Sequence, residues 1–294
     1  MKISGFTIIR NAILNDYPVV ESILSVLPIV DEMVILIGKS EDDTENLIRN
    51  INSTKIKIHH STWDTKKYTK GTVLSVETNK AFDLINSEST WAVYIQADEA
   101  IHEKYYSTIL NACKKYADDD NVEGLLFNYL HFYGTYDYVG DSRRWYNKEV
   151  RIIRNQKSIQ SYKDAQGFRV GNRKIKVKPI DAYIYHYGWV RSLEAIQAKN
   201  KHVKDVWHSE NSTNEIEAPI SDLSQISINM NDFDSLRLFT DTHPEVWNNR
   251  IAEKNWHYDL DISQKKLTLK DKIMFWLEKK TGKRFFDFRN YKII

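Results

Sequence analysis

"WAVYIQADEAIHE", residues 91–103, runs from an apolar stretch straight into two acids, Asp98 and Glu99. An uninterrupted run of this kind predicts a strand buried on both faces. Acids at its end have a plain reading, because strand ends commonly turn back to solvent through Asp and Glu. They also have a chemical one, because open α/β sheets take ligands in the crevice outside the carboxyl ends of their strands. The surrounding chain decides between the two.

Upstream, "ISGFTII" is rich in β-branched residues, "DYPVVESILSVLPIV" carries Val20, Ile23, Leu24 and Leu27 at helical spacing, and "MVILI" follows without interruption. That is strand, helix, strand. "SEDDTENLIRNI" predicts a helix capped by Asp42 or Asp43, "KIKIHH" a strand, and "TVLSVETNKAFDLI" a helix with Val73, Val76, Ala81 and Leu84 toward one side. Beyond the acids, "YYSTILNACKKYA" predicts a helix and "VEGLLFNYL" a strand. Such alternation implies an α/β fold with a mostly parallel sheet flanked by helices. From about Tyr129 aromatics crowd in, with "EVRIIR" the clear strand. "RSLEAIQAKNKHVKDVWHSEN" looks helical, the stretch from Ser209 to Ser235 looped, and two further helices are predicted around "HPEVWNNRIAEKNW" and "LTLKDKIMFWLEKK". The last has Thr268 as N-cap, Asp271 three residues on, and Gly282 as stop signal.

Composition narrows the function classes. Lys and Arg total 42 against 40 acids, so the formal charge of +2 provides no field for nucleic acid. A single cysteine, Cys113, allows no internal disulfide, and no Cys/His cluster offers a zinc site. A cytoplasmic, reducing location is expected. Arg10 and Asn11 break the first apolar run too early for a signal sequence or a membrane span. Neither a Walker lysine loop nor GxGxxG is present, so a phosphate-bearing ligand would need another grip. A divalent ion bridging phosphates to a carboxylate such as Asp98 is one, since Mg²⁺ and Mn²⁺ prefer oxygen ligands.

Four segments together resemble glycosyltransferase family 2, of bacterial surface-glycan type, whose GT-A fold moves a sugar from a nucleotide diphosphate donor. They are Arg10-Asn11 after the first strand, "IGKSEDDT" with Ser40, Asp42 and Thr44 in the places of DDGSxDGT, Asn79 in "ETNKAFDLI", and "QADE" in the place of the metal-binding DxD. The resemblance implies that Arg10, Asn11, Ser40, Asp42, Asn79, Gln96, Ala97 and Asp98 shape the donor site. It further implies a Mn²⁺ or Mg²⁺ cofactor held by Asp98 and His186. Two departures stand out: the family's leading Asp pair falls on Ile37 and Gly38, and the first Asp of DxD is Gln96.

In family members a strand of the "EVRIIR" type is followed about a dozen residues later by the acid that deprotonates the acceptor. Asp164 occupies that distance from Arg151, with Asp141 in reserve. Arg143 and Arg144 could grip phosphate or an acidic sugar, or be solvated surface arginines. His186 and the neighbouring Trp145, Tyr146, Tyr187 and Trp189 face the same choice between ligand contact and core packing. Trp63 and Lys70 could flank the nucleotide.

These readings predict residues 1–190 as a GT-A-like catalytic domain and 191–294 as a mostly helical extension packed on it. The function expected is inverting sugar transfer from a nucleotide-diphosphate sugar to a hydroxyl of a cell-surface glycan or glycolipid. A catalytically silent sugar-nucleotide or glycan-binding module of the same fold is the alternative, with Gln96 and Gly38 in its favour. A nucleotidyltransferase would need a glycine- and basic-rich loop after the first strand, which "IIRNAILNDYP" lacks. The basic tail "QKKLTLKDKIMFWLEKKTGKRFFDFRNYKII" suits an anionic membrane surface at the inner face. The plainer expectation packs its helix on the domain through Leu269, Ile273 and Leu277, lysines in water.

Overall fold

A computed structural model describes residues 1–294 except 69, 194, 197–232, 264 and 283. The predicted helix at 191–211 and the predicted loop at 209–235 lie largely outside the described residues. Strands β1 (Ile3–Ile9), β2 (Glu32–Gly38), β3 (Ile56–Ser61) and β4 (Trp91–Tyr94) run parallel in the order β3-β2-β1-β4. The sheet continues through β8 (Lys148–Arg154), β6 (Gly124–Tyr133) and β11 (Arg173–Trp189). Of this seven-strand path only β8 runs antiparallel to its neighbours.

Every residue of β1 and β4 is buried, as continuous apolar runs covered on both faces require. The period of two in side-chain direction sorts the core. Ile3, Ile35, Trp91 and Val93 face α1 (Val19–Val26), α2 (Thr44–Arg49) and α4 (Tyr106–Lys115) through Ile23, Ile48 and Ile109. Phe6, Val34 and Tyr94 face the other way, toward α3 (Thr72–Asp83) through Ala81 and Phe82, and toward the hairpin of β9 (Ile159–Tyr162) and β10 (Gly167–Val170) through Phe168. In α3 the buried face is Val73, Thr78, Ala81 and Phe82, whereas Leu84 is 41% exposed, so the predicted face was rotated.

"EVRIIR" is not the sole strand of the second half. The 17-residue β11 also lies there, with β7 (Tyr138–Gly140), β9 and β10. Pro179 lacks an N–H and interrupts the alternation, which hid β11. The fold absorbs it with a register shift against β6 between Pro179 and Tyr183. Aromatics of this half build two further cores. Tyr187 stacks on Phe132 at 4.6 Å and on Trp247 at 4.7 Å, and Trp145 packs with Tyr133 and Leu236. Core packing is therefore the fate of Tyr187 and Trp145.

Beyond residue 190 the chain returns to the sheet twice: β12 (Leu236–Leu238) pairs with β7 and β13 (Tyr291–Ile293) with β11. Between them lie α5 (Asn248–Ala252) and α6 (Leu269–Thr281). The Thr268 hydroxyl accepts from Asp271 N–H at 3.1 Å and Gly282 closes α6 in the left-handed conformation, as predicted. The expected packing of its apolar stripe is not found. No residue of α6 is buried, and Leu269, Ile273 and Trp276 are 76%, 52% and 59% exposed.

Arg154, at the end of β8, donates to the carbonyls of Tyr116, Ala117, Asp119 and Val122 at 2.8–3.0 Å, closing the turn after α4. Arg154→Ala would remove all four bonds and leave the Ala117 and Val122 carbonyls without this donor, while Tyr116 and Asp119 keep backbone donors, so urea unfolding should show a loss of about 3 kcal/mol. Arg154→Lys should recover less than half of it, because an ammonium cannot reproduce the planar fork.

Candidate functional site at the carboxyl edge of the sheet

The loops after β1 and β2 are laced together by their own polar residues. Asn11, in the left-handed conformation with φ 54°, donates its N–H to the Ser40 hydroxyl oxygen at 3.0 Å, and its Oδ1 accepts from Glu41 N–H at 2.8 Å. Asp42 Oδ2 accepts from the N–H groups of Ile13 and Leu14, and its Oδ1 accepts from Thr44 N–H at 3.1 Å. Asp42, not Asp43, thus supplies the cap oxygen of α2. Arg10 Nε donates to the Lys39 carbonyl at 3.1 Å. Beside these loops a cleft of about 590 Å³ is lined by Gly38, Ser40, Asp42, Glu45, His60 and Thr62, with His60 Nε2 3.0 Å from Glu45 Oε2. Gly38 is needed there, because a Cβ would meet the Trp63 indole nitrogen at 2.5 Å.

After β4 the chain makes a turn in which Gln96 N–H donates to Glu99 Oε2 at 3.0 Å and Glu99 N–H to the Gln96 carbonyl at 3.1 Å. Ser22 of α1 donates to the Ala97 carbonyl at 2.9 Å. The strand β5 (Glu99–Ile101) then pairs antiparallel with β11, Glu99 opposite His186. Glu99 points inward: Arg151 Nε reaches its Oε2 at 2.8 Å and Nη2 its Oε1 at 2.5 Å, and the Tyr129 hydroxyl donates to Oε1. Arg151 and Glu99 are both fully buried. The adjacent acid, Asp98, consequently faces the sheet edge.

There Asp98 Oδ1 lies 3.7 Å from His186 Nε2. A register shift between His186 and Trp189 in the β11–β6 pairing is the bulge that aims the imidazole. Gly188 lets both side chains pack against its backbone, since a Cβ there would sit 2.5 Å from His186 Nε2 and 3.0 Å from Asp98 Oδ2. Burial foremost, then the charge of Asp98, pushes the Tyr17 phenol up to about 12, while Arg191, 5.3 Å from the Tyr17 ring, opposes them. The site thus joins an acid, an imidazole, a neutral phenol and a buried guanidinium.

A divalent ion places geometric demands on these donors. Two cis ligands of an octahedral ion lie about 3 Å apart, so the 3.7 Å pair needs to close by less than about 1 Å. Among the described residues no group of three or more His, Cys, Asp or Glu side chains could hold a metal. Asp98 and His186 offer at most two protein donors, so an ion here would need its remaining ligands from oxygens outside the protein.

The other predicted residues lie elsewhere. Asn79 Oδ1 accepts from Ser161 N–H at 2.7 Å, clipping α3 to β9. Asp164 follows β9, half-buried between Lys163 and Ala165, whose φ values of 54° and 64° are both left-handed. Burial raises its carboxyl above the usual range. Asp141 accepts from the Ser235 hydroxyl and from Lys265 Nζ at 2.9 Å. Arg143 pairs with Glu278 of α6 at 3.0 Å and donates to the Phe285 carbonyl, and Arg144 is exposed. Unpredicted were Arg151, Glu149, Tyr17, Gly188 and Arg191. A charge inside the apolar run of "EVRIIR" was the available signal for the first.

No protein-family model matches the chain, and no curated protein matches it. Among solved structures, TarS of S. aureus, residues 1–349 in complex with UDP, aligns over 69% of this chain and 66% of that one at 16% identity and a TM-score of 0.39. The 4-diphosphocytidyl-2C-methyl-D-erythritol synthase of Anaerococcus prevotii aligns over 69% and 96% at 12% identity and 0.40. Glucosyl-3-phosphoglycerate synthase of Mycobacterium tuberculosis, with Mn²⁺, UDP and phosphoglyceric acid, aligns over 44% and 43% at 18% identity and 0.30. The chain thus spans just under two-thirds of the TarS fragment and less than half of the synthase from M. tuberculosis. Likenesses this distant leave function to the chemistry of the site.

Glu149, 3.7 Å from Arg151 Nη1, is pushed up to about 8, by burial first, with Arg151 opposing and Glu99 and Asp164 adding to it. Between the ordinary carboxyl range and about 8 the folded chain keeps a proton that the unfolded chain gives up, so stability falls as pH rises through that window. Glu149→Gln has no such proton to lose. Urea titrations at about pH 5 and about pH 9 should find the variant gaining on the wild type toward the higher pH; a constant difference would remove the assignment.

Proposed function

We propose that this chain is a glycosyltransferase of GT-A type, related to family 2, that transfers a sugar with inversion from a nucleotide-diphosphate donor to a hydroxyl of a cell-surface glycan or glycolipid. The observation that carries the reading is the pairing of Asp98 with His186 at the carboxyl edge of the sheet, both packed closely against Gly188. The cleft beside Gly38 and His60 takes the nucleoside end of the donor. Asn11, Ser40 and Asp42 hold the two loops that flank the diphosphate, and Arg10 adds positive charge there. Asn79, expected at the donor, is engaged with Ser161 of β9 and has no part in this reading. A Mn²⁺ or Mg²⁺ ion held by Asp98 and His186 would neutralise charge on the departing diphosphate.

The proposed reaction is a direct displacement at the anomeric carbon. The acceptor oxygen bonds to the anomeric carbon from the face opposite the diphosphate as the carbon–oxygen bond to the diphosphate breaks. The electron pair leaves with the nucleoside diphosphate, and the acceptor proton passes to Asp164. The half-buried setting of Asp164 suits a base, because a raised pKa strengthens proton acceptance near neutral pH. Asp141, already engaged by Ser235 and Lys265, is the weaker candidate. Arg143 is already engaged by Glu278 and the Phe285 carbonyl, which leaves the exposed Arg144 as the freer candidate for an acidic acceptor.

A donor-binding module without turnover is the second reading. It is favoured by Gln96, which sits where a second metal-binding acid would stand, and by Trp63, packed against Gly38. Slow hydrolysis of a nucleotide-sugar in the presence of Mn²⁺ separates the two readings, since the module should show none.

Calorimetry with UDP, GDP, CMP and dTDP, with and without Mn²⁺, tests the metal role. Asp98→Ala should remove the Mn²⁺-dependent part of the affinity, roughly tenfold or more, with unfolding unchanged. Undiminished Mn²⁺ dependence would overturn it. Asp164→Asn should lower kcat by about 10²–10⁴ while donor affinity stays within about twofold. In the wild type kcat should rise with pH through a limb above the usual carboxylate range, because the base acts only when deprotonated and Asp164 holds its proton longer.

A further inference from the structure

The helix α6 is amphipathic in the reverse of the usual sense. At 100° per residue, Leu269, Ile273, Trp276 and Lys280 fall on one face, and Asp271, Met274 and Glu278 on the other. A helix packed on a domain turns the first face inward. Here the second is inward: Glu278 takes ion pairs from Arg143 at 3.0 Å and Arg284 at 3.9 Å, while Leu269, Ile273 and Trp276 are more than half exposed. The ridge continues after Gly282, where Phe286 and Phe288 are 95% and 79% exposed. Phe286 is held with φ 57°, uncommon for a bulky residue. Arg143 ties the two stretches together, pairing with Glu278 and donating to the Phe285 carbonyl. The far end is anchored where Tyr291–Ile293 pair with β11.

We propose that this outward ridge docks the protein on an anionic lipid bilayer, Leu269, Ile273, Trp276, Phe286 and Phe288 entering the headgroup boundary. Charge selects this occupant. Between residues 265 and 280 the chain carries six lysines and two acids, and both acids lie on the inward face. Lys272 and Lys279 flank one side of the ridge, Lys270 the other, and Lys280 stands within it. Such a fringe complements anionic headgroups. A second copy meeting the ridge face to face would set these lysines against each other. The segment lies on the surface rather than spanning, because among the described residues no helix is long and apolar enough to cross a membrane. The inference is independent of the transferase reading.

The test is sedimentation of the full chain with phosphatidylcholine vesicles, with and without phosphatidylglycerol. The wild type should bind the anionic vesicles only, more weakly as salt rises. Ile273→Glu combined with Trp276→Glu should bind at least roughly tenfold more weakly, with unchanged circular dichroism and thermal unfolding, because both side chains are exposed. Lys279→Glu with Lys280→Glu should lose the anionic preference. Equal binding to both vesicle types, no binding, or binding untouched by the Ile273 and Trp276 changes overturns the proposal. So does a concentration-dependent dimer without lipid that the same variant abolishes, which would make the ridge a self-association surface.

Discussion

The buried pair of Arg151 and Glu99 is the constraint on which the site depends. Two charges with no exposed side-chain surface are tolerated only when geometry and hydrogen bonding are nearly complete, and here they are: a two-pronged contact, a phenol from Tyr129, and a backbone N–H from Gln96. The pair joins β8 to the turn after β4. Because Glu99 is drawn into the sheet, its neighbour Asp98 must face the other way. Glu149 completes the balance, since one guanidinium with one carboxylate leaves no demand for a second buried negative charge, and Glu149 keeps its proton.

From that turn the rest of the edge is organised outward. β5 pairs with β11 so that Glu99 stands opposite His186, and the bulge after His186 returns its imidazole toward Asp98. Ser22 holds Ala97 from α1, and Asn11, Ser40 and Asp42 hold the first two loops to each other. These are side chain-to-backbone bonds across 28 to 75 residues of sequence, so three loops that the chain visits far apart act as one surface. Preorganisation of this kind fixes the polar groups of the edge before any ligand arrives.

Much of this was legible in the sequence. The first half alternates strand and helix with short connections, and burial of its central strands on both faces followed from continuous apolar runs, so β1 to β4 and β6 stood where expected. Thr268, Asp271 and Gly282 marked both ends of α6, because caps are local interactions written in adjacent residues. The second half was harder. β11 carries Pro179 and Asp181 inside 17 residues, and only its pairing with β5, β6, β10 and β13 makes it one strand.

The sequence by itself determined the fold class, the identity of the strand-end acid and the cap-to-cap extent of the last helix, because hydrophobic period and capping act within a few residues. Tertiary structure alone decided which of two adjacent acids was spent on a buried arginine and which was left at the sheet edge, the register that sets His186 3.7 Å from Asp98, and that the apolar face of α6 turned to solvent. Each of these is set by a partner distant in sequence: Arg151 for Glu99, the β5–β11 register for His186, and Arg143 for Glu278. Local pattern carries no information about such partners, since the energy of a buried charge is fixed by what surrounds it in space.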